Sequence, residues 1–448
     1  MARAQTGDPL WDAAQPSLLI NGELHNNVRM TWGKAIVNWT RDARCALATM
    51  IDLNHRYALD GQDPASFGGI LWCLGQFDRP FKPARPIFGS IRDRSTKQHA
   101  KRLDTAAFHR QSTRPLVSSM PMAAVIGAGV SGLMCARTLS DHGFPVTLFE
   151  KSRGAGGRMS TRRLPGDLQF DHGAQYFTIR YKRFRRYVKS WMHDGLVARW
   201  DGKIVVLENG AIKGHEPEGE RFVAAPGMNA MAKHLAQGLD MRLHTQVAPL
   251  VRANECWKIA NSEGVELGHF DVVIVAAPAA QATQLLAATS VISRQSAAVP
   301  MYGCWALLLA FETSLELPFD AAFVHGSDIA WIAKDSSKPQ RDSGVETWIV
   351  HASAQWSEAN IELAKAAALE RLLVEFWRVT SARQVRTVHS DVHRWRYAMP
   401  GTPLPSPCLF DVEQKVGACG DWCGGPHVEG AFLSGMAAAG HVMRLLEV

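Results

Sequence analysis

The chain has 448 residues, room for two or three domains at roughly 100–200 residues each. Hydrophobic residues make up 46% and charged residues 20%, a balance that gives a full core and excludes a disordered or collagen-like chain. Lys and Arg number 49 against 42 Asp and Glu, a formal net charge of +7, so the field favours acidic or phosphorylated partners. No apolar run reaches the ~20 residues of a membrane span. The opening residues Met1–Asp8 carry no apolar signal-peptide core. The eight cysteines follow no metal or redox spacing, Cys419 and Cys423 being the one close pair. A cytoplasmic protein with reduced thiols, no metal site and no membrane partner is expected.

The first 115 residues read as helical, with no βαβ unit. Trp11–Ile20 is apolar-periodic and Asn21-Gly22 stops it. Val28–Trp39 is a second such segment. Asp42 caps a third that runs to Leu53, and Asp63-Pro64 opens a fourth over Ala65–Leu74. Pro80–Arg114 reads as an irregular basic tail. Trp32, Trp39 and Trp72 sit at helical spacing and read as core, with electron transfer as the alternative.

Four stretches here, Leu10–Gln15, His25–Met30, Ala58–Pro64 and Pro86–Gly89, resemble in order and spacing the C-terminal part of the flavin domain of photolyases and cryptochromes. The resemblance covers about residues 7–105. It implies that Asn26, Arg29, Asp60 and Asp63 come from helices lining a flavin and a DNA lesion. The antenna domain and the first half of the flavin domain have no counterpart, and Ala65 stands where that family carries a flavin-contacting Asn. Residues 1–115 are therefore expected to be an accessory or remnant helical module, through which nucleic acid is a lesser alternative partner. Residues 116–122 read as a linker.

From Ala123 the pattern changes. Ala123–Ile126 is a strand, and Gly127-Ala128-Gly129-Val130-Ser131-Gly132 is a glycine turn opening a helix. Val146–Phe149 is a second strand, ending at Glu150-Lys151. Glycines at these three positions permit a tight turn, close approach to a pyrophosphate and close helix–strand packing, and the acid suits a ribose. The helix start supplies free N–H groups for phosphate. Gly156-Gly157-Arg158-Met159 follows at once, which an NAD-binding domain does not need and a flavin domain does. Gly173, Ala174 and Gln175, within Phe170–Phe177, allow backbone to lie against a flat isoalloxazine ring. The Val247 backbone is placed for the adenine. Gly420-Asp421 ends a late strand, where Asp421 suits the ribityl or pyrophosphate region. Gly430, Ala431 and Phe432 open a last helix whose positive end suits the flavin N1–C2 edge. The cofactor expected is FAD.

The remaining segments read as Met241–Val247 and Phe270–Pro278 strands, a sheet from Cys304–Phe311, Ile329–Ala333 and Glu346–His351, one long helix over Glu358–Val379, and a return strand Val388–Ala398. The fold class expected is an α/β FAD-binding Rossmann-type domain with an inserted mixed-sheet substrate domain, preceded by the small all-α module. FAD-binding parts fall at about 123–178, 222–289 and 408–448, and substrate-domain parts at 179–221 and 290–407.

Phe149–Arg163, Asp171–Thr178 and Gly420–Gly440 together, with Trp395 before the last segment, resemble renalases within the amine-oxidase superfamily, over about residues 121–448. The resemblance implies a p-hydroxybenzoate hydroxylase-like fold, FAD, oxidation of a misreduced dihydronicotinamide, and O₂ as acceptor. An amine oxidase or desaturase on the same fold is the alternative. A light-responsive or DNA-binding flavoprotein is the alternative of another class. Hydride transfer to flavin N5 needs no protein nucleophile. The residues do not name a general base, and His172, His393, Tyr397 and His427 are the candidates.

Overall fold

A computed structural model of the chain describes residues 1–84, 88–113, 120–166, 168–215, 219–286, 290–341 and 344–446. Part of the Pro86–Gly89 motif and most of the expected linker lie outside them. The described residues form two compact units: Met1–Met120 with Leu139–Pro145, and Pro121–Thr138 with Val146–Val448. Among them, no helix is long and apolar enough to cross a membrane.

In the first unit, helices Pro9–Asn21, Asn26–Trp39, Ala43–Tyr57 and Pro64–Cys73 follow the four periodic segments. Local chemistry fixes their ends. Asp8, Asp42 and Asp63 accept from the Trp11, Cys45 and Ala65 amides, and Gly22 stops the first helix in the left-handed region at φ 67°. The core is built on Trp11 and Trp32, stacked with centroids 5.8 Å apart. The Trp32 indole donates to Gln15 and the Trp11 indole to the Trp32 carbonyl, so neither buried N–H is orphaned. Trp72 is partly buried and packs against this core while Trp39 is exposed, so the core reading holds for Trp32 and Trp72 and not for Trp39.

The stretch read as an irregular tail holds two further helices, Thr96–Ala100 and Thr105–Ser112. Ser95 and Asp104 cap them, and Leu103 and Phe108 pack on the tryptophan core. Their apolar residues are too few to stand out among the Arg and Lys. Arg29 is bound by both oxygens of Asp60 and by Asn54. Asn26, Asp60 and Asp63 are exposed.

The second unit is built on two sheets. The first runs Leu409–Asp411, Val416–Ala418, Val272–Val275, Ala123–Ile126, Val146–Phe149, Asp240–Arg242, and is parallel except for its Leu409–Asp411 edge. Its central strands Ala123–Ile126 and Val272–Val275 are buried at every residue, as strands covered on both faces must be. The second sheet has seven strands: Thr387–Pro400, Met301–Phe311, Glu346–Ala352, Ile329–Lys334, Ala321–His325, Ile204–Glu208 and Ala211–His215. All its pairings are antiparallel except Ala321–His325 with Ile204–Glu208, so it is mixed. Helix Lys365–Thr380 buries Ala368, Leu372, Phe376 and Val379 in the core of that sheet, in contact with Phe311 and Trp348.

Two expected elements are shorter than their apolar patterns. The strand read over Met241–Val247 ends at Arg242, His244 is left-handed at φ 53°, and Val247 forms one isolated bridge to Asn261. The helix read over Glu358–Val379 is two, Ala354–Ala359 and Lys365–Thr380. Asn360 ends the first by bonding its side chain back to the Trp356 carbonyl, while its own carbonyl accepts the Trp305 indole.

Candidate active site

A cavity of about 1390 Å³ lies within the second unit, between the ends of the parallel strands and the face of the seven-stranded sheet. It exceeds the roughly 300–1,000 Å³ of sites for drug-sized ligands. That suits a long cofactor with a substrate beside it. The glycine turn forms one end. Gly127 takes φ 108°, and a Cβ there would stand 2.6 Å from the Ala276 carbonyl oxygen. At Gly129 a Cβ would meet nothing within 4 Å, so its backbone faces open space. Gly157 packs over Gly129, with 3.2 Å between its would-be Cβ and the Gly129 Cα. Val130 and Ser131, at the start of helix Val130–Asp141, also line the cavity.

Glu150 and Lys151 follow along the wall. Glu150 is buried and accepts from the Ala128 amide at 2.7 Å and the Ser152 amide at 2.8 Å, so it braces the glycine turn as well as facing the cavity. Beyond it, Arg158 makes a two-pronged ion pair with Asp421, at 2.8 and 2.7 Å, and donates to the Ala398 carbonyl at 2.9 Å. This joins the Gly-Gly-Arg segment, the Gly420-Asp421 turn and the return strand. Met159, Gly173, Ala174, Gln175, Val247, Gly420 and Ala431 complete the expected cofactor wall. Gly173 has no room for a side chain, its Cβ position being 2.0 Å from the Arg158 carbonyl oxygen.

Four residues expected at the cofactor stand outside the lining. Ala128 is fully buried beside Glu150. Gly132 serves packing: a Cβ would sit 2.0 Å from the Gly127 oxygen. Gly430 is pressed against Gly425, where a Cβ would sit 2.2 Å from the Gly425 oxygen. Phe432 is fully buried among Phe184, Tyr187 and Trp191, because helix Val428–Arg444 turns that face toward helix Lys182–His193.

The opposite wall comes from the seven-stranded sheet. Trp331, His351, His393, Trp395 and Tyr397 line it, and His427 lies at the start of the last helix. His172 is not in the lining; it is buried behind, stacked on Trp395 at 5.1 Å, and its Nδ1 has no hydrogen-bond partner among the described residues. Its carbonyl accepts from the Trp395 indole at 3.0 Å and faces His351 Nε2 at 3.3 Å. Burial, then the charge of Arg162, presses the His172 imidazole down to about 4. Burial alone dominates at His351, also about 4. Burial, His172 and Arg162 take His393 to about 3. Burial and Arg180 lower His427.

A buried ionic network behind Gln175 was missed in the sequence. Arg341 clasps Asp171 at 2.7 and 3.1 Å, and Lys338 pairs with Asp335 at 2.6 Å and reaches Gln175 Oε1 at 3.2 Å. All four charged side chains are at most 1% exposed. Burial pushes Asp171 up, but Arg341, Lys338 and the Thr161 hydroxyl outweigh it and hold the carboxyl below its ordinary range. At Asp335 burial prevails over Lys338 and the carboxyl is raised. The only sequence signal was Asp171 beside the Gly173-Ala174 turn; its partners lie up to 170 residues away.

A parallel sheet with a glycine turn, a buried acid after its second strand and a mixed sheet facing the cavity defines an FAD-dependent oxidoreductase fold. Comparison with known proteins agrees. Residues 125–191 match the NAD(P)-binding Rossmann-like domain, and residues 211–443, just over half of the chain, match the flavin containing amine oxidoreductase model. The chain belongs to the flavin containing amine oxidoreductase family, and its cofactor is FAD. Among solved structures, a candidate protoporphyrinogen oxidase from Exiguobacterium sp. 255-15 superposes with TM-score 0.61 at 12% identity, covering 74% of this chain and 100% of that one. A putrescine oxidase variant gives 0.54 at 12%, covering 72% and 99%. A deoxyribodipyrimidine photo-lyase of Methanothermobacter thermautotrophicus is 44% identical over 98 residues, 21% of this chain and 22% of that protein. The chain thus spans about a fifth of the length of the curated photolyases that it matches.

Proposed function

We propose that the second unit oxidises a small reduced heterocycle of the dihydronicotinamide type, as renalases do, with O₂ returning the cofactor to its oxidised form. The residues along the cofactor wall would hold FAD: the Gly127–Ser131 turn at the pyrophosphate, Glu150 at the ribose, and Gly173-Ala174 against the ring. When bound, FAD supplies the hydride acceptor, N5. The chain itself binds, orients and excludes water.

One observation carries the choice of substrate class. Among the described residues, the carboxylates that line the cavity are Glu150 and Asp421, and both are engaged by backbone amides or by Arg158. The substrate wall instead offers Lys365 beside the aromatic rings of Trp331, Trp395 and Tyr397, while the side chains of Arg394 and Arg396 alternate to the other face of the return strand, where Arg394 lies over Trp305. Glu362 pairs with both arginines from outside that lining, at 3.4 Å and in a two-pronged bridge. An ammonium substrate finds no counter-ion on this wall, whereas a flat ring bearing phosphate finds the Lys365 cation and aromatic faces. Anaerobic mixing of the FAD-loaded chain with reduced nicotinamide dinucleotides, their isomers, and primary amines tests this. Bleaching of the flavin by the nicotinamides alone is expected, with colour returning when O₂ is admitted. Bleaching by an amine alone would move the function to amine oxidation.

A further inference from the structure

We propose that His393 determines which rings this site accepts, by donating a hydrogen bond from Nε2 to a carbonyl oxygen carried on the substrate ring. The proposal rests on the reading of the site as one for a dihydronicotinamide, whose carboxamide supplies that oxygen. His393 projects from the return strand into the cavity lining. Its Nδ1 faces Arg162 Nη2 at 3.5 Å. A guanidinium has donors and no acceptor, so Nδ1 must present its lone pair and the proton resides on Nε2. Arg162 cannot swing away freely, because Asp391, two residues earlier on the same strand, forms an ion pair with it. The ring also meets both members of the stacked Trp395–His172 pair edge-on, with centroids at 4.3 and 4.7 Å. Nε2 has no partner within the described residues.

The charged and titratable groups around the ring agree on one protonation state. His172, Arg162 and Lys365 all oppose a positive charge, as does burial, and only Asp391 favours it. The neutral ring therefore keeps one donor, at Nε2, across the physiological range. It has no free lone pair there with which to act as a base. A fixed donor in a partly buried wall discriminates by what it loses: a ring without the carbonyl leaves the N–H unpaired.

Calorimetric titration of the FAD-loaded full-length protein with nicotinamide and with 3-ethylpyridine tests the assignment without turnover. The wild type should bind nicotinamide about tenfold or more tightly over 3-ethylpyridine, the cost of one unpaired donor. H393F should bring the two within about twofold while 3-ethylpyridine binds as before, and H393Q, which keeps an N–H, should retain most of the preference. FAD content and melting temperature show whether each variant is folded, and H393L replaces H393F should Phe not pack. A preference that survives in H393F or H393L, one lost equally in H393Q, or none in the wild type overturns the proposal. Failure of the functional reading has a separate sign: dihydronicotinamides that do not bleach the wild-type flavin, whatever the binding ratio.

Discussion

A guanidinium held by both oxygens of Asp421 and by the Ala398 carbonyl has three fixed hydrogen bonds, two to the Gly420-Asp421 turn and one to the return strand. Arg158→Met keeps the stem and removes all three. The expected result is a folded protein that loses FAD on gel filtration, read as flavin absorbance per chain. The buried network asks for a different experiment. Asp171→Ala leaves Arg341 charged, fully buried and without its partner, which costs on the order of 3–5 kcal/mol. Urea unfolding should show this as a lowered midpoint at unchanged slope. The buried histidines add a pH dependence. His172 and His351 have imidazoles pushed to about 4 from an ordinary 6.5, so between those values the unfolded chain binds more protons than the folded one. Stability from them is complete above about 6.5 and is lost as pH falls toward 4. The urea midpoint should drop over that window, and drop less in His351→Gln.

Helices set distances that the sequence pattern only implies. Helix Val428–Arg444 reaches the glycine turn because it carries Gly435, where a Cβ would stand 2.1 Å from the Ser131 oxygen. Gly435→Ala should destabilise by about 1–3 kcal/mol and loosen flavin binding. Gly440→Ala, where nothing lies within 4 Å, should be neutral or stabilising by about 0.5–1 kcal/mol. Thermal melting of the two variants side by side checks the contrast. The same element shows what could be read in advance. Its small residues signalled close packing, and the glycines at 127, 129 and 157 signalled a cradle, because a missing Cβ is written in the sequence. Phe432 was misread because an apolar residue on a helix does not say which neighbour it meets. The break at Asn360 was hidden by a periodic pattern running across it, and Lys338 and Arg341 carry no signal in the sequence because Asp335 and Asp171 become their partners only in the fold.

At the scale of the whole chain, all cavity residues belong to the second unit, and the first has its own tryptophan core. A chain cut to residues 121–448 should therefore retain one FAD per molecule, as flavin absorbance against protein concentration will show. A truncated chain without flavin would contradict that, and a second flavin lost with residues 1–120 would overturn the accessory or remnant reading of the first unit. The ion pair between Arg158 and Asp421 spans 263 residues, and the strand Val416–Ala418 completes a sheet begun at Ala123. During synthesis the glycine turn leaves the ribosome long before the carboxylate that closes on its arginine. FAD capture is thus a late event in the life of each molecule, timed by translation of the final segment. Until then the nascent chain exposes apolar strand edges that only the last strand covers.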